Sequence, residues 1–444
     1  MGLATPPTVR KLQTTLHAKA KDSPDYRFYA LYDKVYRSDV MAFAYQVCHA
    51  NGGAPGVDGQ TFDDIETDGV RRWLDELATE LREKRYRPEA VRRVTIPKPG
   101  QKGRYRPLGI PTIKDRVVQT AALLVLEPIF EADLQPEQYA YRPKRHALDA
   151  VRQVHSLLNR GYQEVIDADL SGYFDSIPHS DLMKSVSRRI SDRHVLRLIK
   201  MWLQAPVEES DERGRKHRTT RNKDTGRGSP QGSPISPLLA NLYMRRFILG
   251  WKVLGHEKRL RAHIVNFADD FVICCRGSAE EAMAVMRTMM DKLKLTVNEE
   301  KTRICRIPEA TFDFLGYTIG RCYSYQTGRP YIGTRPSRSK IQRLCREISR
   351  ITGPEWIWLD EETLVNRLNR MMLGWGQYFS LGRVKRAHRN VTHHAVNRLR
   401  RWLCHKHKVR ERRGISRYPD KYLHNQLGLV KLERVIRNRP CAKA

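Results

Sequence analysis

Three aspartates carry most of the chemistry this chain could do. Asp169 closes the run Glu164-Val-Ile-Asp-Ala-Asp169, and Asp269-Asp270 sits between Ile264-Val-Asn-Phe267 and Phe271-Val-Ile273. Successive side chains of a regular strand point to opposite faces, so two adjacent aspartates serve one site only where the chain bends. The segment Ala268-Asp269-Asp270 offers such a bend, in a residue type that turns favour. Carboxylates gathered in one place repel and stay ionised only around a divalent cation. Oxygen-only ligands select a hard ion, Mg²⁺ or Mn²⁺. Two such ions about 3.5–4 Å apart stabilise the attacking and leaving oxygens of an in-line phosphoryl transfer.

The elements that must hold these groups are legible in outline. Glu164–Leu170 alternates as a strand, and His263–Arg276 reads as two apolar strands around the acidic bend. Ser278-Ala-Glu-Glu281 has the spacing of a capping box. The helix after it carries Ala282, Val285, Met286, Met289 and Leu293 as a core-facing stripe. Upstream, helical patterns flank the Gly-rich turn Asn51–Gly59, short strands run from Val91 to Pro111, and an apolar helix spans about Asp115–Phe130. The strand-like runs are short and joined by hairpin signals, which argues against a parallel dinucleotide-binding sheet. The glycines of Gly228-Ser-Pro-Gln-Gly232 match neither a dinucleotide fingerprint nor a nucleophile elbow.

Composition names the partner. A chain of 444 residues exceeds the 250–300 or so that one core accommodates, so more than one lobe is expected. Lys and Arg number 81 against 49 Asp and Glu, a net +32 that a polyphosphate neutralises with release of counterions. Residues 337–444 hold 26 of the cations and 8 of the acids, with Trp375, Tyr378, Phe379 and Trp402 interleaved, a mixture suited to stacking on unpaired bases. No run approaches the 18 or so apolar residues of a spanning helix, so no membrane partner is expected. The eight cysteines form no Cys-x-x-Cys pair, which points to a reducing cytoplasm, and Cys404-His405-Lys406-His407 lacks the second ligand pair of a zinc site.

Ordered blocks then give a family. Asp169-Leu-Ser-Gly-Tyr-Phe-Asp-Ser-Ile-Pro-His179, Gly228-Ser-Pro-Gln-Gly-Ser-Pro-Ile-Ser-Pro-Leu-Leu-Ala-Asn241 and Phe267-Ala-Asp-Asp270 resemble successive motifs of bacterial group II intron reverse transcriptases. The likeness begins with Gly56-Val-Asp-Gly59, Ile96-Pro-Lys-Pro99, Arg106-Pro-Leu-Gly-Ile-Pro111 and Tyr141-Arg-Pro143. It continues through Leu295-Thr-Val-Asn-Glu-Glu-Lys-Thr302 and Phe312-Asp-Phe-Leu-Gly-Tyr317, and Leu368–Phe379 resembles the family's maturase segment.

The resemblance implies an α+β right hand: an N-terminal extension at 1–85, fingers at 86–160, a palm with an antiparallel sheet at 161–335, and a helical thumb or maturase region at 336–444. It implies Asp169, Asp269 and Asp270 as metal ligands for Mg²⁺ or Mn²⁺, with the Leu170 carbonyl as an added oxygen. Lys98 and Arg106 would clamp the incoming triphosphate, Phe174 would crowd a 2′-hydroxyl, and Gln231-Gly232 would support nucleotide and template. Lys301 would protonate the departing pyrophosphate, and Leu315-Gly316 would grip the primer. The implied function is an RNA-directed DNA polymerase and maturase of the bacterial cytoplasm. Its implied partners are group II intron RNA, an RNA template, a DNA primer or target, and deoxynucleoside triphosphates. Two other uses fit the polymerase motifs less well. One is phage defence or spacer acquisition, against which the maturase-like segment speaks. The other is a non-catalytic RNA-splicing chaperone, against which the three intact aspartates speak. Phe267 stands where the family usually has Tyr, and Tyr141 where it usually has Phe. No Cys-pair endonuclease module follows the maturase-like segment in these 444 residues, so the type lacking target nicking is expected.

Overall fold

The computed structural model describes residues 3–97, 105–211, 215–324 and 326–435. Its strands are β1 (Val91–Pro97), β2 (Tyr105–Ile110), β3 (Glu164–Asp169), β4 (Val207–Ser210), β5 (Lys216–Thr219), β6 (Ala262–Phe267), β7 (Asp270–Cys275), β8 (Arg303–Arg306), β9 (Phe312–Phe314), β10 (Tyr317–Tyr323) and β11 (Pro330–Pro336). They form sheets ordered β2-β1-β4-β5, β6-β7-β3-β8 and β11-β10-β9, a mixed α/β architecture with chiefly antiparallel pairing. The one parallel pair given by register is β1 with β4.

The described chain falls into two compact units, one built from Met1–His146, Ala168–Ile273 and Ser278–Arg303, the other from Ala147–Asp167, Cys274–Gly277 and Ile304–Ala444. In the first, the helix Ile113–Glu131 is buried on nearly every side, with helices Pro7–Asp22 and Ser38–Asn51 packed against it. Its start is fixed by Thr112, whose hydroxyl accepts from the Asp115 amide at 3.1 Å. Pro107 pairs opposite Thr95 without harm, because β2 is the edge of its sheet and its missing N–H costs no ladder bond.

Two local expectations need correction. The capping box at Ser278 does not form: the Ser278 hydroxyl donates to the Leu260 carbonyl, and Glu281 pairs with Arg259. A packed neighbouring segment outcompetes the local cap. In the helix Ala279–Lys292 the buried set is Ala279, Ala282, Met283, Met286, Met289 and Met290, so the apolar face turns away from Val285.

The second unit packs helices Arg338–Ile351, Glu361–Tyr378 and Lys385–Lys406 around Ile348, Leu364, Leu368, Leu399 and Trp402. Here the reading of Phe379 and Trp402 as base-stacking rings is overturned, while Trp375 and Tyr378 are half-buried. Trp402 and Phe379 are 1% and 4% exposed, the Trp375 ring lies tilted at 40° to Phe379 with ring centres 4.7 Å apart, and the Tyr378 hydroxyl donates to the Leu315 carbonyl. The face that the helix Glu361–Tyr378 buries carries Leu364, Val365, Leu368, Met372 and Gly376, and Phe379 follows it as the C-cap.

Candidate active site

Asp169 ends β3 and is wrapped by the segment 296–302. Its backbone carbonyl accepts from the Asn298 amide at 2.8 Å, and the Ser171 amide donates to the Thr296 carbonyl at 2.9 Å. These bonds flank an antiparallel bridge between Leu170 and Val297, and neither uses the Leu170 carbonyl. One carboxylate oxygen of Asp169 accepts from Asn298 Nδ2 at 3.1 Å and from Lys301 Nζ at 2.7 Å. Asn298 and Lys301 stand three apart in a turn, so both reach the same carboxylate.

The acidic hairpin is tighter than the sequence implies. Only Ala268 and Asp269 form the turn, and Asp270 is already the first residue of β7, which neighbours β3 in its sheet. Ala268 adopts φ 60°, a left-handed conformation disfavoured for a residue with a Cβ. Asn266, 1% exposed, holds it there, donating from Nδ2 to the Ala268 carbonyl at 2.8 Å. The Asn266 backbone is pinned in turn by the Glu137 carbonyl at 2.9 Å and the Tyr139 amide at 3.0 Å. Asp269 and Asp270 are both exposed. The charge of Asp269 reaches two tyrosines. Burial first, and Asp269 second, raise the Tyr141 phenol, while Arg106 opposes the shift. Tyr173, wholly buried with its hydroxyl on the Ala240 carbonyl at 2.6 Å, is pushed well up, chiefly by burial, with Asp269 contributing.

A second group assembles in the same unit. Arg106 Nε donates to Gln231 Oε1 at 2.9 Å, and the Gly109 amide donates to the Gln231 carbonyl at 2.6 Å. Gly232 has φ 112°, and a Cβ there would sit 2.2 Å from the Gly109 carbonyl oxygen, so only glycine lets this loop close on β2. Phe174, 6% exposed, packs edge-on to Tyr173, and its carbonyl accepts from the Ser229 amide at 2.8 Å. Arg106, Gln231 and Gly232 are thus brought together, with Phe174 tied to the same loop and Lys301 seated on Asp169. Lys98 lies outside the described residues. In the second unit, Leu315 and Gly316 form a two-residue turn between β9 and β10 with φ 50° and 83°, the pattern of a type I′ hairpin. Sequence reasoning assigned no role to Asn298, Asn266 or Tyr141, whose importance lies in contacts across 128 or so residues of chain.

The donors suit a hard divalent cation, being carboxylate oxygens. Among the described residues, however, no three His, Cys, Asp or Glu side chains gather as a ligand set. Asp169 is instead engaged by Lys301 and Asn298, which offset its charge.

The first unit thus holds a strand that ends in Asp169, a neighbouring strand that opens with Asp270, and an Arg106–Gln231 pair on a loop closed by Gly232. A family model described as reverse transcriptase (RNA-dependent DNA polymerase) matches residues 96–319, half of the chain, and one for the group II intron maturase-specific domain matches residues 341–418. The chain belongs to the reverse transcriptase family and joins an RNA-directed DNA polymerase to a group II intron maturase domain. It is 32% identical over 351 residues to Protein YkfC of Escherichia coli, covering 70% of this chain and 88% of that protein. It is 27% identical over 376 residues to the group II intron-encoded protein LtrA of Lactococcus lactis, covering 70% of this chain and 60% of LtrA. It is also 26% identical over 423 residues to the putative COX1/OXI3 intron 1 protein of Saccharomyces cerevisiae, covering 77% of this chain and 49% of that protein. Polymerases of this family depend on divalent metal. No helix among the described residues is long and apolar enough to cross a membrane.

Proposed function

We propose that the chain extends a DNA primer along an RNA template with deoxynucleoside triphosphates, and that it binds group II intron RNA to assist splicing and retromobility. Asp169, Asp269 and Asp270, with the Leu170 carbonyl, are the groups that would hold Mg²⁺, or Mn²⁺ in its place. Bound there, two such ions supply charge neutralisation at the attacking and leaving oxygens. The protein's own residues do the rest. Arg106, kept in place by Gln231, meets the triphosphate with a charged donor, and Gly232 lets the backbone approach the nucleotide. Phe174 walls the sugar side. Lys301, seated on Asp169, is positioned to pass a proton toward the leaving pyrophosphate. Residues 86–160 serve as fingers, 161–335 as palm, 336–444 as thumb and maturase region, and Leu315-Gly316 as the primer-gripping turn. The bacterial cytoplasm is the setting.

The observation that carries this reading is the placement of Asp169 at the end of β3 next to the strand that Asp270 opens, in the same unit as the Arg106–Gln231 pair. Primer extension on an RNA template with Mg²⁺ tests it. Asp269→Asn is expected to lower the rate by more than about a hundredfold, and a variant that retains wild-type rate overturns the site. Splicing of a group II intron transcript with and without the protein tests the maturase half.

A further inference from the structure

In the first unit, a cavity of about 670 Å³ opens where the start of the helix His179–Ser187 meets the loop Thr225–Arg227. Its size falls within the roughly 300–1,000 Å³ of ligand sites. None of the groups assigned above to metal, nucleotide or primer lines it. Three cations do: Lys200, Arg227 and Lys294. Lys294 Nζ stands 3.2 Å from Asp181, a carboxylate already approached by Lys184 at 3.5 Å and Arg246 at 3.8 Å. One negative charge shared by three cations leaves the region strongly positive. Lys200 and Arg227 are exposed, and neither has a carboxylate partner among the described residues. Beside them Met183, Leu203 and Pro178 give the cavity an apolar wall.

His179 adds an independent sign. It is 8% exposed, and its Nε2 lies 2.7 Å from the Gly228 carbonyl, so Nε2 carries the proton and Nδ1 is an acceptor. That Nδ1 is buried with no hydrogen-bond partner. Burial lowers the His179 pKa, which keeps the ring neutral. A buried acceptor without a partner is uncommon in folded proteins.

We propose that this cavity binds one nucleotide of a single-stranded RNA segment, the phosphate meeting Lys200, Arg227 and Lys294 and the base lying on the Met183–Leu203 wall. Cations beside an apolar surface are what single-strand recognition needs: charge for the backbone and a face for the base. Membrane headgroups would want a flat apolar rim, which a recessed cavity does not present. The site also communicates with the polymerase loop. Pro178 bridges Arg227, the His179 amide donates to the Gly226 carbonyl at 2.8 Å, and the Gly228 amide donates to the Ile177 carbonyl at 2.9 Å, leading directly into Ser229–Gly232. RNA seated here would lie beside the loop that carries Gln231. The inference rests on the RNA-binding part of the proposed function, but places that binding at residues outside its catalytic groups.

The test uses the full chain, as wild type and as Lys200→Glu, Arg227→Glu and the double variant. Anisotropy of a labelled 12-nucleotide single-stranded RNA reads affinity across a salt series, with AMP as competitor. The expected result is a loss of about tenfold in the double variant, and a salt slope shallower by about 0.7 per lost phosphate contact. Primer extension on saturating preformed template–primer should stay near wild type, which shows the variants fold and reports the polymerase reading separately. RNA carrying 4-thiouridine should cross-link within 178–183 or 225–227. Unchanged RNA affinity in the double variant overturns the proposal, and so do cross-links confined to other segments. Displacement by AMP together with unchanged RNA affinity overturns it in favour of a free nucleotide.

Discussion

Gly232→Ala is the sharpest probe of the loop that we propose supports the nucleotide. The new Cβ would lie 2.2 Å from the Gly109 carbonyl oxygen and 3.0 Å from Leu108 Cδ1. An oxygen cannot yield as a flexible side-chain end can, so the loop and β2 must separate by roughly 1 Å, an overpacking cost of about 1–3 kcal/mol. The backbone adds to this, because φ 112° is a region that residues with a Cβ rarely adopt, at about 1–3 kcal/mol. The total is about 2–6 kcal/mol, concentrated on the 2.6 Å bond between the Gly109 amide and the Gln231 carbonyl. Separation there carries Arg106 away from Gln231. If half of the strain appears as weakened substrate binding, the KM for the incoming nucleotide rises about 5- to 160-fold at an unchanged template affinity. Gly59→Ala is the control, since Gly59 has φ 74° with open space around it and so carries the backbone term alone. Steady-state primer extension with varied nucleotide, beside thermal melting of both variants, is the assay. A Gly232→Ala enzyme with KM within twofold of wild type and a melting temperature no lower than that of Gly59→Ala would refute the reasoning.

Asn266→Ala removes the 2.8 Å bond to the Ala268 carbonyl that holds the left-handed turn, at a cost of about 1–2 kcal/mol. Primer extension should show a fall in kcat with little change in KM, because the turn carries Asp269 and not the nucleotide-supporting loop. Glu127 gives a pH signature. Burial, reinforced by the neighbouring charge of Glu131, raises its pKa from 4.5 to about 7. A raised carboxylate binds its proton more tightly folded than unfolded, so its stabilising contribution is complete below 4.5 and is lost as pH rises through 7. Denaturant titration should find wild type about 1 kcal/mol less stable at pH 8 than at pH 6 from this group, a difference that Glu127→Gln abolishes. Trp402→Ala empties the centre of the second unit, where the ring is 1% exposed and its Nε1 donates to the Trp356 carbonyl at 3.2 Å. A loss of about 3–5 kcal/mol is expected in the unfolding of that unit, with intron RNA binding lost alongside.

Much was legible before folding, and the reason is local physics. Alternation fixed β3, the apolar flanks and Asp pair fixed the β6–β7 hairpin, and charge composition fixed a polyanionic partner, since each depends on neighbours within a few residues. Residue types also limited the chemistry to what carboxylates can do, and the ordered motifs around them, not the Asp pair alone, pointed to a polymerase. What failed was whatever depended on competition between distant groups. Ser278 had every local reason to cap its helix, and the Leu260 carbonyl took its hydroxyl instead. Phe379 and Trp402 looked like stacking surfaces among arginines until packing buried them. The amino-acid order by itself determined the kinds of groups present and the short elements that carry them. Only the tertiary structure decided that Lys301 and Asn298 close on Asp169, that Asn266 locks the Ala268 turn, and that Gly232 lies against Gly109. The first and last of those pairings join residues more than a hundred apart. The Asn266–Ala268 bond, though local, depends on the Asn266 backbone being pinned by Glu137 and Tyr139, so all three exist only once the intervening segments have packed.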